Sequence, residues 1–513
     1  MSKRSLIFLT ALTVLLTALP YVYASQNGGG DFVFNGFLLN PLDGNSYLAK
    51  MREGWQGSWQ FRMLYSSQPP EGSYLNLYYL FLGHVARWLG LPLILAFHFA
   101  RIAGAIVLCL MLHRFIETYL SEQSARARTI AFVLLGFGSG LGWLAAFFGG
   151  FTADFWVAEA YPFLSMYTNP HFPLGMALML DFLVLFRLPQ KPGFNLWLIV
   201  KGILTAIIMP FGVFVAAVVA GGVQLWEYLK HEHSIRWWML NFFVPAGLIL
   251  IYQFAITRSD TILAAWNAQN QTTSPPLWDF VISFSPALLL SCAVIALLIK
   301  NKQLPEYKLL VVWLVGGLLL AYFPFQLQRR FLLGYFVPAA CLAAIALDLA
   351  LADPKKCLRI GSGMLIGFSL ITNLLVILGG LLAASQRSPD LYYPKKLQSA
   401  FNWMLDHKQT CDVVLAAPDT GAIIPGATGW RVVYGHPFET PNAAKTEADV
   451  VRIFSGEMTQ TEIASTLHAY NVDFVLIGPS EKQSASDLSW LDTYPMIYSE
   501  ADVTLYQVGE CQP

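Results

Sequence analysis

Eleven mainly apolar runs, each near the length that crosses a lipid bilayer, narrow the possible folds of this 513-residue chain more than any other feature. A spanning helix needs about 20 such residues, because backbone groups left without hydrogen bonds in hydrocarbon are too costly to tolerate. The runs lie at Ser5–Tyr23, Leu91–Leu112, Thr129–Gly149, Pro173–Leu188, Asn195–Met209, Phe211–Leu229, Trp237–Ala255, Val281–Ile299, Leu309–Phe325, Phe331–Leu351 and Ile360–Ala383. Pro210 divides the 195–229 stretch, which reads as two short spans or as one long broken one. The first run follows Lys3 and Arg4 and reads as an uncleaved anchor, with cleavage after Val22-Tyr23-Ala24 as the alternative. The composition agrees. Only 12% of the residues are charged and 56% are hydrophobic, against roughly 25% charged in soluble chains, which excludes a wholly soluble globule.

Charge then sets the topology. The formal net charge is zero, which gives no reason to expect a nucleic-acid partner. It is unevenly spread, however. Residues 391–513 hold 7 Lys/Arg and 15 Asp/Glu, leaving 25 basic and 17 acidic residues in the first 390. That asymmetry separates a membrane body, residues 1–384, from a small acidic domain, residues 385–513. Basic residues favour the cytoplasmic side. Arg114, Arg126 and Arg128, then Arg187 and Lys191, Lys230 and Arg236, Lys300, Lys302 and Lys308, and Lys355, Lys356 and Arg359 fall on one side only if 195–229 counts as two spans. The N-terminus is then cytoplasmic and the C-terminal domain extracytoplasmic.

That domain reads as α/β. Asp412–Ala417, Arg431–Tyr434 and Val472–Ile477 are short β-rich runs, and Ala443–Phe454 and Thr461–Ala469 carry helical apolar spacing. Cys411 and Cys511 bracket it, as a disulfide or as two separate thiols. Cys109, Cys292, Cys341 and Cys357 lie in or beside spans and read as packing residues.

Charges in a low-dielectric body are the candidates for chemistry. The first outer loop carries Asp43, within NPLDGNSYLAKMREG, just before an expected helix over Ser46–Glu53. Asp43 is either a helix cap or a general base held at the membrane surface. The second outer loop, 151–172, has Asp154 and Glu159 and no Lys or Arg, so it reads as solvated acids, an acceptor contact or a metal site. His171 stands between two prolines at the entry to the next span. In QLQRRFLLG, Arg329 and Arg330, with Gln328 beside them, sit on the outer side against the charge rule, so an anion should hold them. A guanidinium fork grips phosphate in a bidentate way, and at headgroup depth that phosphate belongs to a lipid, bound specifically or as bulk headgroup. His98, Arg101, Asp181 and Lys201 lie within spans, where an Arg101–Asp181 pair is one arrangement. The 73–90 stretch has the two-faced pattern of a helix in the interface plane.

These features together resemble the polytopic glycosyltransferases of the GT-C fold, which use polyprenyl-phosphate-linked sugars. The likeness rests on Asp43 in its motif, the acidic second outer loop and the QLQRRFLLG turn. The tail, with APDTGAIIPGATGWRVVYGHPFET and VDFVLIGPSE, resembles the extracytoplasmic domains of bacterial members. The resemblance implies a mainly α body of about 11 transmembrane helices with Asp43 as the base. Arg329 and Arg330 would bind the donor phosphate, and Glu159 or Asp154 would orient the acceptor or help hold a divalent cation. Its partners would be a polyprenyl-phosphate sugar, the bilayer, and a glycan, lipid or protein acceptor, with inversion at the anomeric carbon. The first loop lacks an Asp-x-Asp pair, since Asp31 and Asp43 are twelve apart. No cofactor is therefore assigned, and Asp31 stays a rival base. A transporter or lipid-linked glycan flippase using Arg101, Asp181 and Lys201 is the alternative, and a glycan-binding scaffold is a third reading.

Overall fold

The computed structural model describes residues 2–68, 71–188, 190, 193–231, 235–407 and 412–509. They form two compact units, each assembled from separated stretches of chain. One comprises Met1–Val22, His98–Tyr252 and Thr272–Leu382, the other Tyr23–Phe97, Gln253–Gln271 and Ala383–Pro513.

The first unit is helical. Among the described residues of the whole chain, eight helices are long and apolar enough to cross a membrane: Lys3–Gln26, Leu93–Tyr119, Ala125–Ala146, Pro210–Leu229, Trp237–Ser259, Leu304–Ala321, Gln328–Ala352 and Lys356–Ser385. A ninth is added if the pair Leu277–Phe284 and Ala287–Lys300, bent by 81°, is one span. Two runs counted as spans from the sequence are shorter helices, His171–Val184 and Leu196–Ile208. At 1.5 Å per residue a 13-residue helix reaches about 20 Å, short of the roughly 30 Å of hydrocarbon. The break is where Pro210 sets it. Met209 leaves helical geometry (φ −146°, ψ 77°) and Pro210 opens the next helix at its first turn, where its missing N–H costs nothing.

Buried charges in this unit are satisfied locally. The Arg101 guanidinium donates to the carbonyls of Thr17 at 3.0 Å and Met166 at 2.9 Å, and lies 4.3 Å from the centre of the Tyr21 ring. Asp181 pairs instead with Arg114 at 2.8 Å and with Lys201. The Arg101–Asp181 pair therefore does not form. Arg101 satisfies backbone carbonyls, while Asp181 has two other cations at hand.

The second unit holds the α/β domain. Strands β1 (Phe32–Phe34) and β2 (Tyr392–Pro394) pair antiparallel. The larger sheet contains β3 (Val413–Leu415), β4 (Arg431–Val432), β5 (Phe474–Ile477), β6 (Met496–Glu500) and β7 (Val503–Gln507), in the order β4-β3-β5-β7-β6. β3 runs parallel to β4 and β5, while β5, β7 and β6 are antiparallel. Side chains alternate across it. Val414, Val432 and Leu476 enter one core with Phe401 and Trp430, and Val413, Leu415, Val475 and Ile477 enter the other with Val450 and Phe454. Ala49, Leu64 and Tyr65, from the segment that follows the first long helix, belong to the first of these cores. Cys411 and Cys511 lie outside the described residues.

Helix Pro41–Trp55 crosses helix Leu77–Leu89 at glycine-width separation. A Cβ on Gly54 would stand 2.0 Å from the carbonyl oxygen of Leu80, and one on Gly83 2.0 Å from that of Met51. This crossing buries Leu80, Gly83 and His84, so part of the 73–90 face expected at the interface packs inward instead.

Candidate active site

The first cluster lies wholly within the second unit and is built on helix Pro41–Trp55. Asn40 precedes it in the left-handed region (φ 50°, ψ 61°) and makes no side-chain cap, and Pro41 occupies its first turn. Asp43 stands in that turn too, where the helix dipole favours a carboxylate. Three and seven residues on, Ser46 and Lys50 fall on the same helix face.

Against this face sits the loop after β4, Gly435-His436-Pro437-Phe438-Glu439-Thr440. It is braced from within. His436 Nδ1 accepts the backbone N–H groups of Phe438 at 3.1 Å and Glu439 at 3.2 Å. Thr440 Oγ1 accepts those of Gly435 at 3.4 Å and His436 at 3.3 Å. From outside the loop, Gln269 Nε2 donates to the Thr440 carbonyl at 2.9 Å. Glu439 is buried and its Oε1 accepts from Ser46 Oγ and Lys50 Nζ, both at 2.6 Å. Burial alone would push its carboxyl upward, but Lys50, together with the hydrogen bonds from Lys50 and Ser46, outweighs that and holds it below the ordinary carboxylate value. Burial, helped by Glu439, raises the Tyr65 phenol, which donates to the Ala422 carbonyl at 2.9 Å. His436 Nε2 lies 3.5 Å from Asp43 Oδ1, the ring 4% exposed and the carboxylate side chain 41% exposed. Asp31, the rival base, is exposed, and its carbonyl accepts the Lys395 N–H at 2.8 Å.

The second cluster lies wholly within the first unit. Glu159 Oε1 is 3.5 Å from both Arg329 Nε and Arg330 Nη1, and its side chain is only 4% exposed. The Arg329 guanidinium also lies 4.7 Å from the centre of the Trp156 ring. Backbone bonds fix the turn, Gly334 N–H to the Glu159 carbonyl at 2.9 Å and Arg329 N–H to that of Thr272 at 3.0 Å. Two guanidiniums beside the Glu159 carboxylate form the kind of forked donor set that grips an anion.

The remaining candidates have other surroundings. Asp154 is fully buried and accepts the Gly142 N–H at 2.9 Å and the Thr152 hydroxyl at 2.7 Å. Burial pushes its carboxyl up, partly offset by those bonds. Gln328 braces the turn, accepting the Ser274 N–H at 3.3 Å and donating to the Phe323 carbonyl at 3.0 Å. His171 begins helix His171–Val184 with its ring centre 4.1 Å from that of Phe172. Thus Glu159, Arg329 and Arg330 come together, and Asp154, Gln328 and His171 bond or pack elsewhere. Sequence reasoning missed His436, Glu439, Lys50 and Trp156 as members of these clusters. The compact GHPFET string was the available signal for the first two. Among the described residues, no group of three or more His, Cys, Asp or Glu side chains could hold a metal ion.

No protein-family model matches the sequence, and no curated protein matches it. Solved structures of the oligosaccharyltransferase of Archaeoglobus fulgidus do match. One, tethered to an acceptor peptide, gives a TM-score of 0.56 at 12% identity, over 98% of this chain and 74% of that one. The same archaeal enzyme, AglB, in complex with an inhibitory peptide and a dolichol-phosphate, gives 0.54 at 12% identity over the same shares. Likeness at this identity is likeness of fold. With its long apolar helices, the chain is a multi-pass membrane protein that has the GT-C fold of polytopic membrane glycosyltransferases.

Proposed function

We propose that this protein transfers a sugar from a polyprenyl-phosphate donor to an extracytoplasmic acceptor hydroxyl, inverting the anomeric carbon. The observation that carries the reading is the pair Arg329 and Arg330 gathered beside the carboxylate of Glu159, on a fold shared with a lipid-dependent glycosyltransferase. The archaeal neighbours were solved with a dolichol-phosphate and with peptides, which supports a phosphorylated polyprenol as donor carrier and includes a protein among the acceptors. In this reading residues 385–513 are extracytoplasmic and the N-terminus is cytoplasmic.

The chemistry follows from the charges. As the acceptor oxygen bonds to the anomeric carbon, Asp43 takes its proton, and the carbon–phosphate oxygen bond breaks with its electron pair leaving on phosphate. Arg329 and Arg330 stabilise that growing charge, with Glu159 and the Trp156 ring keeping the guanidiniums in place. Asp154 and Gln328 act as braces of the loops concerned, and His171 as a further substrate contact. The acids offered for a cation are engaged, Asp154 by hydrogen bonds and Glu159 by guanidiniums, so no step is routed through a metal. The transporter reading loses support because Arg101 and Asp181, its supposed path, are both locked in local bonds.

The test is transfer in membranes from radiolabelled polyprenyl-phosphate sugars. Asp43→Asn should cut the rate by about 10²–10⁴ without unfolding the chain. Arg329→Ala should cut it by about 10²–10³. Transfer that survives Asp43→Asn would move the base to Asp31, and no donor turnover by any donor tried would overturn the reading.

A further inference from the structure

We infer that His436 is the positioning residue for Asp43, so that the C-terminal sheet, through the loop after β4, orients the base supplied by the first outer loop. The catalytic consequence rests on the reading of Asp43 above, while the contact itself rests only on geometry.

Three observations converge. The first concerns the ring proton. Because Nδ1 accepts two backbone N–H groups, that proton sits on Nε2, and protonating Nδ1 would break both bonds and the turn they hold. The second is the destination of that proton. Nε2 is buried, has no hydrogen-bond partner among the described residues, and stands 3.5 Å from Asp43 Oδ1. An imidazole N–H buried with a carboxylate as its facing acceptor gains by directing its proton there. The third is registration. Glu439 binds Ser46 and Lys50, one and two turns along the helix from Asp43, so the loop is clamped to the same face that presents the base. The titratable groups facing the pair are Lys50 on the Asp43 helix, Glu439 on the loop, Tyr65, whose ring centre is 5.7 Å from that of His436, and Tyr79 on helix Leu77–Leu89. A donor fixed toward one carboxylate oxygen sets the orientation of the group, which is what a base needs toward a bound hydroxyl.

The experiment uses the full chain. His436→Asn keeps an acceptor where Nδ1 was, so the turn survives, but its side chain is too short to reach Asp43. Water-soluble carbodiimide with an amine, read by peptide mass spectrometry, modifies the protonated carboxyl of Asp43 as a function of pH. Losing a donor to the carboxylate should move half-modification to higher pH in His436→Asn, with an unchanged melting temperature. An identical pH dependence overturns the inference. Should that variant fail to fold, histidine ¹⁵N spectra of wild type and Asp43→Asn serve instead. The Nε2 resonance of His436 should shift in Asp43→Asn, and no shift overturns the inference. In the transfer assay His436→Asn should lower kcat by about tenfold or more at unchanged donor KM. Transfer lost in Asp43→Asn but untouched in His436→Asn would sink the positioning role alone, and transfer kept in Asp43→Asn would sink the base reading alone.

Discussion

Glu439 is the residue on which the first cluster depends, because it neutralises a lysine that is almost wholly buried. Removing one member of a buried pair leaves the other charge uncompensated and costs about 3–5 kcal/mol, whereas replacing both by apolar groups is often neutral. Glu439→Ala should therefore lower the melting temperature seen by tryptophan fluorescence, and Lys50→Met with Glu439→Leu should recover most of it. A single variant that melts like wild type would refute the assignment. Since the folded carboxyl lies below its ordinary 4.5, the unfolded chain holds the proton more tightly. This stabilisation is complete above about 4.5 and is lost as pH falls through the lower folded value, a limb that Glu439→Gln should flatten in melting curves between pH 3 and 6. At this scale the sequence was half legible. Asp43, Arg329 and Arg330 stood out because a charge in an apolar chain requires a reason. His436 did not, because its partner lies 393 positions away and neither residue's local string points to the other.

Among the elements, the strands and helices of the C-terminal domain were readable to within a residue or two where patterns were strong. The run expected at Ala443–Phe454 is the helix Ala443–Ser455, and Thr461–Ala469 is Gln460–Ala469. The hairpin β6–β7 was missed: β6 has only exposed and half-buried residues and gives no clean alternation, and in β7 the alternation is confined to Val503 and Leu505. Close approaches were also invisible, because a glycine at a helix crossing looks like any other glycine. Gly54→Ala or Gly83→Ala should force the helices apart, costing about 1–3 kcal/mol or more, since the obstructing atom is backbone oxygen in each case. Gly379→Ala, with nothing within 4 Å of its new methyl, is the control and should be neutral. Faster amide exchange across 41–55 and 77–89 in the first two variants, and not in the third, is the expected pattern.

At the scale of the whole molecule, the sequence-based topology depends on parity rather than on any single span. Among the described residues, eight long helices make nine, an odd number, if the bent pair is one span. With nine, and with the shorter helices His171–Val184 and Leu196–Ile208 counted both or neither, the sequence-based expectation of ends on opposite sides follows, whereas a re-entrant pair would put them on one side. Three acids near the basic loops expected on the cytoplasmic side are held by basic partners. Glu227 has Arg236 at 2.9 Å and Lys308 at 2.7 Å, Asp348 has Arg126 at 2.5 Å, and Glu117 has Arg128 at 2.8 Å. Pairing lowers the penalty of charges near hydrocarbon while leaving net positive charge on that side. Cys357, exposed beside Lys355, Lys356 and Arg359, reports which side it is. In intact cells a membrane-impermeant maleimide should leave the Cys357 peptide unlabelled, and permeabilisation should expose it. Labelling from outside would invert the topology, put the C-terminal domain in the cytoplasm and remove Asp43 from any extracytoplasmic acceptor.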